Sequence, residues 1–177
     1  MINLINAITL SRIILAPIIL LFIIYDNYLV CVLLFLLAGV TDYIDGYMAR
    51  KYNAESELGE ILDPIADKIL ITFILIGLAV NLNSNLVAFL TSVILAREIG
   101  IGALRDYSSR KNLSHKTRVT FLAKTKTTIQ LFTIASYLVA LSLKLNLLII
   151  ISDILLIIAT LITIYTGYQY VVNVYKK

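Results

Sequence analysis

Cysteine and histidine are nearly absent from this 177-residue chain, where Cys31 and His115 each stand alone. A single cysteine excludes an intrachain disulfide framework, and a single histidine without cysteine neighbours excludes a zinc set. Charged residues are also scarce, at 15%, and no basic stretch is interleaved with aromatics as a nucleic-acid surface requires. There is no internal repeat and no low-complexity linker, so neither a solenoid nor a string of tethered modules is expected. No small-residue cleavage site follows the first apolar run, which therefore reads as a retained membrane span and not a signal peptide. Cys31 reads as a small buried or lipid-facing residue, and His115, in the polar stretch SSRKNLSHKT, as a surface histidine.

What the chain has instead is apolar length. Hydrophobic residues make up 60% of it and its mean hydropathy is +0.92, the composition of a membrane protein. A span needs about 20 residues, so the length suits one all-α, polytopic membrane bundle of six transmembrane helices, with a short N-terminal interfacial segment and no second domain. The expected spans are 8–25, with Pro17 as a kink or local irregularity, then 29–50, 57–80, 86–107, about 118–143 and 146–172. With these spans, 14 of the 15 Lys and Arg lie on the side of both termini, and only Lys144 lies opposite. The positive-inside rule then puts both termini in the cytoplasm. The formal charge of +4 and the pI near 9.1 follow from this topology and from contact with anionic lipid.

Against that background a 26-residue window stands out, holding Asp42, Asp45, Gly46, Ala49, Arg50, Gly59, Asp63 and Asp67. An Asp at mid-bilayer costs roughly 2.5–3.5 kcal/mol on insertion scales, so four within one window point to function. Helical spacing places Asp42, Asp45, Gly46 and Ala49 on one face at the end of the second span, and Gly59, Asp63 and Asp67 on one face near the start of the third. The short turn KYNAES makes these helices antiparallel neighbours whose acidic faces converge. Gathered carboxylates repel unless cations sit between them, and oxygen-only ligands suit hard divalent ions, Mg²⁺ or Mn²⁺. Two such ions clamp a diphosphate for in-line phosphoryl transfer. Gly46 and Ala49 would let a ligand approach the helix backbone, and Arg50 would pair with phosphate oxygens. The competing reading pairs the acids with Arg50, Lys51 and Lys68 and makes Gly46 and Ala49 helix-packing residues.

The same residues carry a resemblance. D-x2-D-G-x2-A-R-x8-G-x3-D-x3-D is the signature of the CDP-alcohol phosphotransferase family, and this chain meets every fixed position and every gap. The stretches INLINAITLSRIILAP, AREIGIGALR (96–105) and AKTKTTIQ (123–130) look like matching segments of the bacterial phosphatidylglycerophosphate synthases within it. Two departures are Ile5, where those enzymes often have Pro, and Ala123, where they often have Gly; neither touches the acidic motif. The resemblance implies a bacterial inner-membrane enzyme, usually a homodimer, with a two-metal site opening to the cytoplasm. It would move the phosphatidyl group of CDP-diacylglycerol to glycerol 3-phosphate and release CMP. Carried over residue by residue, Asp42, Asp45, Asp63 and Asp67 hold the two cations, Asp67 doubles as the general base, and Gly46, Ala49, Arg50 and Gly59 bind the CDP donor.

The acceptor can also be approached from charge. Arg97 and Arg105 share a helical face at i and i+8, and Lys124 and Lys126 lie near the cytoplasmic end of the next span. Cations at membrane depth need partners, and an acceptor bearing its own phosphate supplies one; the alternative partners are Glu98, Asp106 and lipid head groups. Asp153 reads as polar glue between helices or an outer-interface residue, and Tyr165, Tyr168, Tyr170 and Tyr175 as an interfacial aromatic belt. Two rival functions remain open at this point. Another enzyme of the family, making cardiolipin, phosphatidylserine or an inositol lipid, would share the donor half of the site. A small ion transporter would also use buried acids, though it lacks the support of an inverted repeat.

Overall fold

The computed structural model describes residues 2–52, 56–111 and 121–175, with the backbone alone at 2–5, 50, 57, 60, 121–124 and 175. The regular structure among them is helical: α1 (Ile2–Ile24), α2 (Tyr28–Lys51), α3 (Glu57–Asn81), α4 (Asn85–Arg110), α5 (Phe121–Leu143) and α6 (Asn146–Tyr175). The expected spans coincide with these helices. Residues 2–7, expected as an interfacial segment, continue α1 without a break, and both Pro17 and Pro64 lie inside unbroken helices. Five of the six helices are long and apolar enough to cross a membrane. The sixth, α3, carries Glu57, Glu60, Asp63, Asp67 and Lys68 in its first half and packs against α1, α4 and α5. The whole is a polytopic helical membrane bundle.

Three short turns at the end of the bundle away from the termini use one device. Asp26, Asn83 and Lys144 take the left-handed conformation, with φ of 57°, 46° and 54°. The next N–H in each case reaches back five residues, from Asn27 to Phe22 O, Ser84 to Ala79 O and Leu145 to Ala140 O. This is the Schellman closure, which satisfies carbonyls that a helix end would otherwise leave bare. The first turn is also tied to α3, because Asp26 accepts from Tyr28 Oη at 2.6 Å and Asn81 Nδ2 at 2.7 Å. Those two hydrogen bonds hold the Asp26 carboxyl below its ordinary range. At the opposite end, the Ser56 hydroxyl caps α3 by accepting from Gly59 N at 3.0 Å.

Helix contacts run in a closed ring, α1–α2–α5–α6–α4–α3 and back to α1, and α3 also meets α5 across the middle. The apolar core is built largely along α1 and α3, where Ile19, Ile23, Ile74, Leu75 and Leu78 are fully buried. Gly77 lets these two helices close: a Cβ there would stand 2.8 Å from Leu20 Cδ1 and 3.2 Å from Ile23 Cδ1. This approach brings the polar halves of α1 and α3 together. Gly77→Leu is expected to lose about 1–3 kcal/mol of stability through overpacking, read as a lower thermal unfolding midpoint in detergent. An unchanged midpoint would contradict the close α1–α3 packing.

Candidate active site

Three helices deliver polar groups to one depth. Arg12 lies ten residues into α1, Asp67 ten residues into α3, and Asp42 nine residues before the end of α2. At 1.5 Å rise per residue each is about 15 Å from its helix end. Arg12 is fully buried and its guanidinium is shared by all four aspartates of the motif. Nη1 donates to Asp42 Oδ1 and, at 2.9 Å, to Asp67 Oδ1. Nη2 donates to Asp45 Oδ2 at 2.9 Å and Asp63 Oδ1 at 3.4 Å. One turn earlier on the same helix, Thr9 Oγ1 lies 3.1 Å from Asp45 Oδ2 and 3.0 Å from Asp63 Oδ1, so its single proton serves either oxygen. One turn earlier again, Asn6 Oδ1 accepts from the Ser56 hydroxyl at 3.0 Å, which ties α1 to the cap of α3.

The acidic faces of α2 and α3 therefore converge as their spacing requires, but on a guanidinium that sequence reasoning did not assign to the site. Among the described residues no three acids close on one point in metal-ligand geometry, and Arg12 lies between them. The donor set nonetheless suits hard divalent cations. Four carboxylates face one positive charge, and each has a second oxygen that no hydrogen bond among the described residues uses. Asp42, Asp63 and Asp67 keep 51%, 50% and 43% of their side chains exposed, whereas Asp45 is sealed at 3%. Oxygen ligands, excess negative charge and open faces are what Mg²⁺ or Mn²⁺ needs. Of the other residues expected to bind the donor, Gly46 and Ala49 lie half-buried on the face of Asp42 and Asp45. Gly59 is pressed close to Asn6 and Ser56. The Arg50 side chain lies outside the described residues.

Two cavities flank the α3–α5 contact. One, of about 470 Å³, is mostly apolar and runs along α2 and α5 from Arg12 and Asp42 past Gly39, Phe35, Leu131 and Phe132. The other, of about 360 Å³, lies among α3, α4, α5 and α6 and is lined by Lys68, Arg97, Glu98, Arg105, Lys126 and Tyr170. Asp67 lines both. The structure thus gathers Arg97, Arg105 and Lys126 in one cavity, while the Lys124 side chain and His115 lie outside the described residues.

These cations are not equivalent. Arg97 is held by the Thr163 carbonyl at 3.0 Å, the Thr166 hydroxyl at 2.8 Å and Glu98 Oε1 at 3.0 Å, and buried Lys126 pairs with the same Glu98 oxygen. Arg105 makes no ion pair among the described residues, and Lys68 comes only within 3.9 Å of Glu98 Oε2. Arg97 and Arg105 both lie over the Tyr170 ring, at 5.8 and 5.5 Å. Tyr170 is accordingly 4% exposed and belongs to this wall, whereas Tyr165 and Tyr168 are outward-facing as expected of a belt. Asp153 accepts from Tyr137 Oη and so joins α5 to α6. Arg12, Thr9, Asn6 and Lys68 were the residues missed. The signal for the first three was the N-x2-T-x2-R spacing, which places polar groups on one face of an otherwise apolar α1.

Arg12 offsets the mutual repulsion of the four carboxylates, and its removal should expose that role. Arg12→Met is expected to lose on the order of 3–5 kcal/mol of stability in EDTA. It should also gain more thermal stability from added Mn²⁺ than the wild type does, measured by thermal unfolding in detergent. Equal midpoints for the two proteins in both conditions would contradict a counter-ion role.

Comparison with known proteins agrees with the motif and the geometry. The sequence profile of the CDP-alcohol phosphatidyltransferase family matches residues 2–165. A CDP-diacylglycerol–glycerol-3-phosphate 3-phosphatidyltransferase of Rickettsia felis is 39% identical over 172 residues, covering 95% of this chain and 93% of the relative. Its namesake in Rickettsia bellii is 40% identical with the same coverage, and that of Haemophilus influenzae is 34% identical over 78% of this chain and 73% of its own length. The match takes in α1 to α5, the first two-thirds of α6 and the four aspartates, and the chain belongs to the CDP-alcohol phosphatidyltransferase family.

Proposed function

We propose that this protein transfers the phosphatidyl group of CDP-diacylglycerol to glycerol 3-phosphate, forming phosphatidylglycerophosphate and releasing CMP. The observation that carries the reading is the position of Asp67, among the described residues the one that lines both the apolar cavity and the cationic cavity. A group that takes a proton from an acceptor alcohol as it attacks a lipid-linked phosphorus needs access to both substrates. The apolar cavity suits acyl chains leading away from a diphosphate, and the cationic cavity suits a small anionic alcohol. The names of the relatives point to the same pair of substrates.

In this reading Asp42, Asp45, Asp63 and Asp67 hold two divalent cations, Mg²⁺ or Mn²⁺, which when bound supply positive charge to the diphosphate of the donor. Gly46, Ala49, Arg50 and Gly59 lie on the donor side, with the cytidine beside the small residues. Arg105 and Lys68 meet the acceptor's phosphate directly, and Lys124, two residues before Lys126, belongs to the same set. Arg97 and Lys126, already bound to Glu98, shape and charge the wall behind it. Asp67 accepts the proton of the primary hydroxyl as that oxygen bonds to the lipid-side phosphorus and the bond to CMP breaks. Arg12 holds one oxygen of each carboxylate and leaves the second oxygens for the cations. The concentration of Lys and Arg on the side of the termini supports a site facing the cytoplasm from a bacterial inner membrane.

Purified protein with CDP-diacylglycerol and Mg²⁺ or Mn²⁺ should release CMP with glycerol 3-phosphate and far less with serine, inositol or phosphatidylglycerol. Turnover with serine alone would overturn the acceptor assignment. Asp67→Asn should lose roughly 10²–10⁴ in rate, and near wild-type turnover would remove Asp67 as the base. Gly39 has open space around it on the wall of the apolar cavity. Gly39→Leu should therefore raise KM for CDP-diacylglycerol and leave KM for glycerol 3-phosphate unchanged; the reverse pattern would contradict a donor groove there.

A further inference from the structure

Among the described residues Glu98 is the one acid besides Asp67 in a wall that also carries Lys68, Arg97, Arg105 and Lys126. A carboxylate there repels a phosphate, so its presence in an anion-binding cavity needs another reason. Holding Arg97 and Lys126 accounts for half of it, since both donate to Oε1. The other oxygen, Oε2, has Lys68 Nζ at 3.9 Å as its ion-pair neighbour, which is beyond hydrogen-bond reach. Oε2 therefore keeps its capacity to accept a hydrogen bond, and the side chain is still 16% exposed.

We infer that Glu98 Oε2 accepts a hydrogen bond from the secondary hydroxyl of the acceptor and is a specificity-determining residue for a phosphorylated diol. The inference rests on the acceptor reading above and deepens it. Glycerol 3-phosphate offers three polar ends, and the cavity offers three matching groups. Asp67 faces the primary hydroxyl, Arg105 and Lys68 face the phosphate, and Glu98 Oε2 is left for the secondary hydroxyl. The two cations on Oε1 hold Glu98 in place, so the free oxygen acts as an oriented acceptor. A site built to bind a hydroxyl rejects an analogue that lacks it, because the buried acceptor is then left unpaired.

The test compares glycerol 3-phosphate with 3-hydroxypropyl phosphate, which lacks the secondary hydroxyl, by CMP release from CDP-diacylglycerol. Wild-type protein is expected to favour glycerol 3-phosphate by about 10- to 100-fold in kcat/KM. That preference should shrink in Glu98→Gln, which keeps a neutral acceptor, and vanish in Glu98→Met. A merely structural Glu98 would lower both activities together and leave their ratio unchanged, and that result would overturn the proposal. Equal use of the two phosphates by the wild type would overturn it too, and this arm decides even where a variant does not fold. Absence of CMP release with either phosphate in the wild type would instead overturn the acceptor reading on which the proposal stands.

Discussion

The buried guanidinium of Arg12, shared among four aspartates, is the interaction on which the rest of the structure depends. Placing an ion in a low-dielectric interior costs several kcal/mol, and the cost is offset only when its hydrogen bonds are filled. Both terminal nitrogens of Arg12 are filled, Nε alone has no partner among the described residues, and the single Thr9 hydroxyl proton serves one or other of two of the same oxygens. That arrangement needs α1, α2 and α3 to meet at one depth, which the close contact at Gly77 permits. It also leaves a deficit, because one positive charge faces four carboxylates. The half-exposed faces of Asp42, Asp63 and Asp67 show the side from which further positive charge would enter.

The division of the interior follows from the same packing. With α3 drawn against α1 on one side and α5 on the other, the space left in the bundle is split into an apolar groove and a cationic pocket. Asp67 is in the wall between them. A lipid donor and a water-soluble acceptor have opposite solvation needs, and a shared partition lets each keep its own surroundings until their reacting atoms meet. The Glu98 cluster does for the pocket what Arg12 does for the acids: one oxygen organises two cations, leaving the other oxygen for work.

Much of this was legible in the sequence, for reasons that apply to these residues in particular. Long apolar runs separated by YDN, NLNSN and LKLN located the helices, since a span has a minimum length and its turns need polar residues. The i, i+3, i+4 and i+7 spacing of Asp42 to Ala49 located one acidic face, because helical periodicity acts within a single element. Arg12 escaped because its meaning depends on which helix lies beside it and at what depth, and a lone charge in an apolar run carries neither fact. Pairing of Arg97 and Lys126 through Glu98, and the burial of Tyr170 beneath Arg97 and Arg105, are likewise contacts between α4, α5 and α6. Sequence spacing placed those residues on faces without saying which faces meet.

The most direct measurement is anomalous diffraction at the manganese edge from crystals of the protein grown with Mn²⁺. Two peaks between α2 and α3, bonded to carboxylate oxygens of Asp42, Asp45, Asp63 and Asp67, are the expected result. Manganese bound elsewhere, with the guanidinium of Arg12 as the sole cation among the four aspartates, would contradict the reading of this site as a metal-assisted phosphatidyl transfer centre.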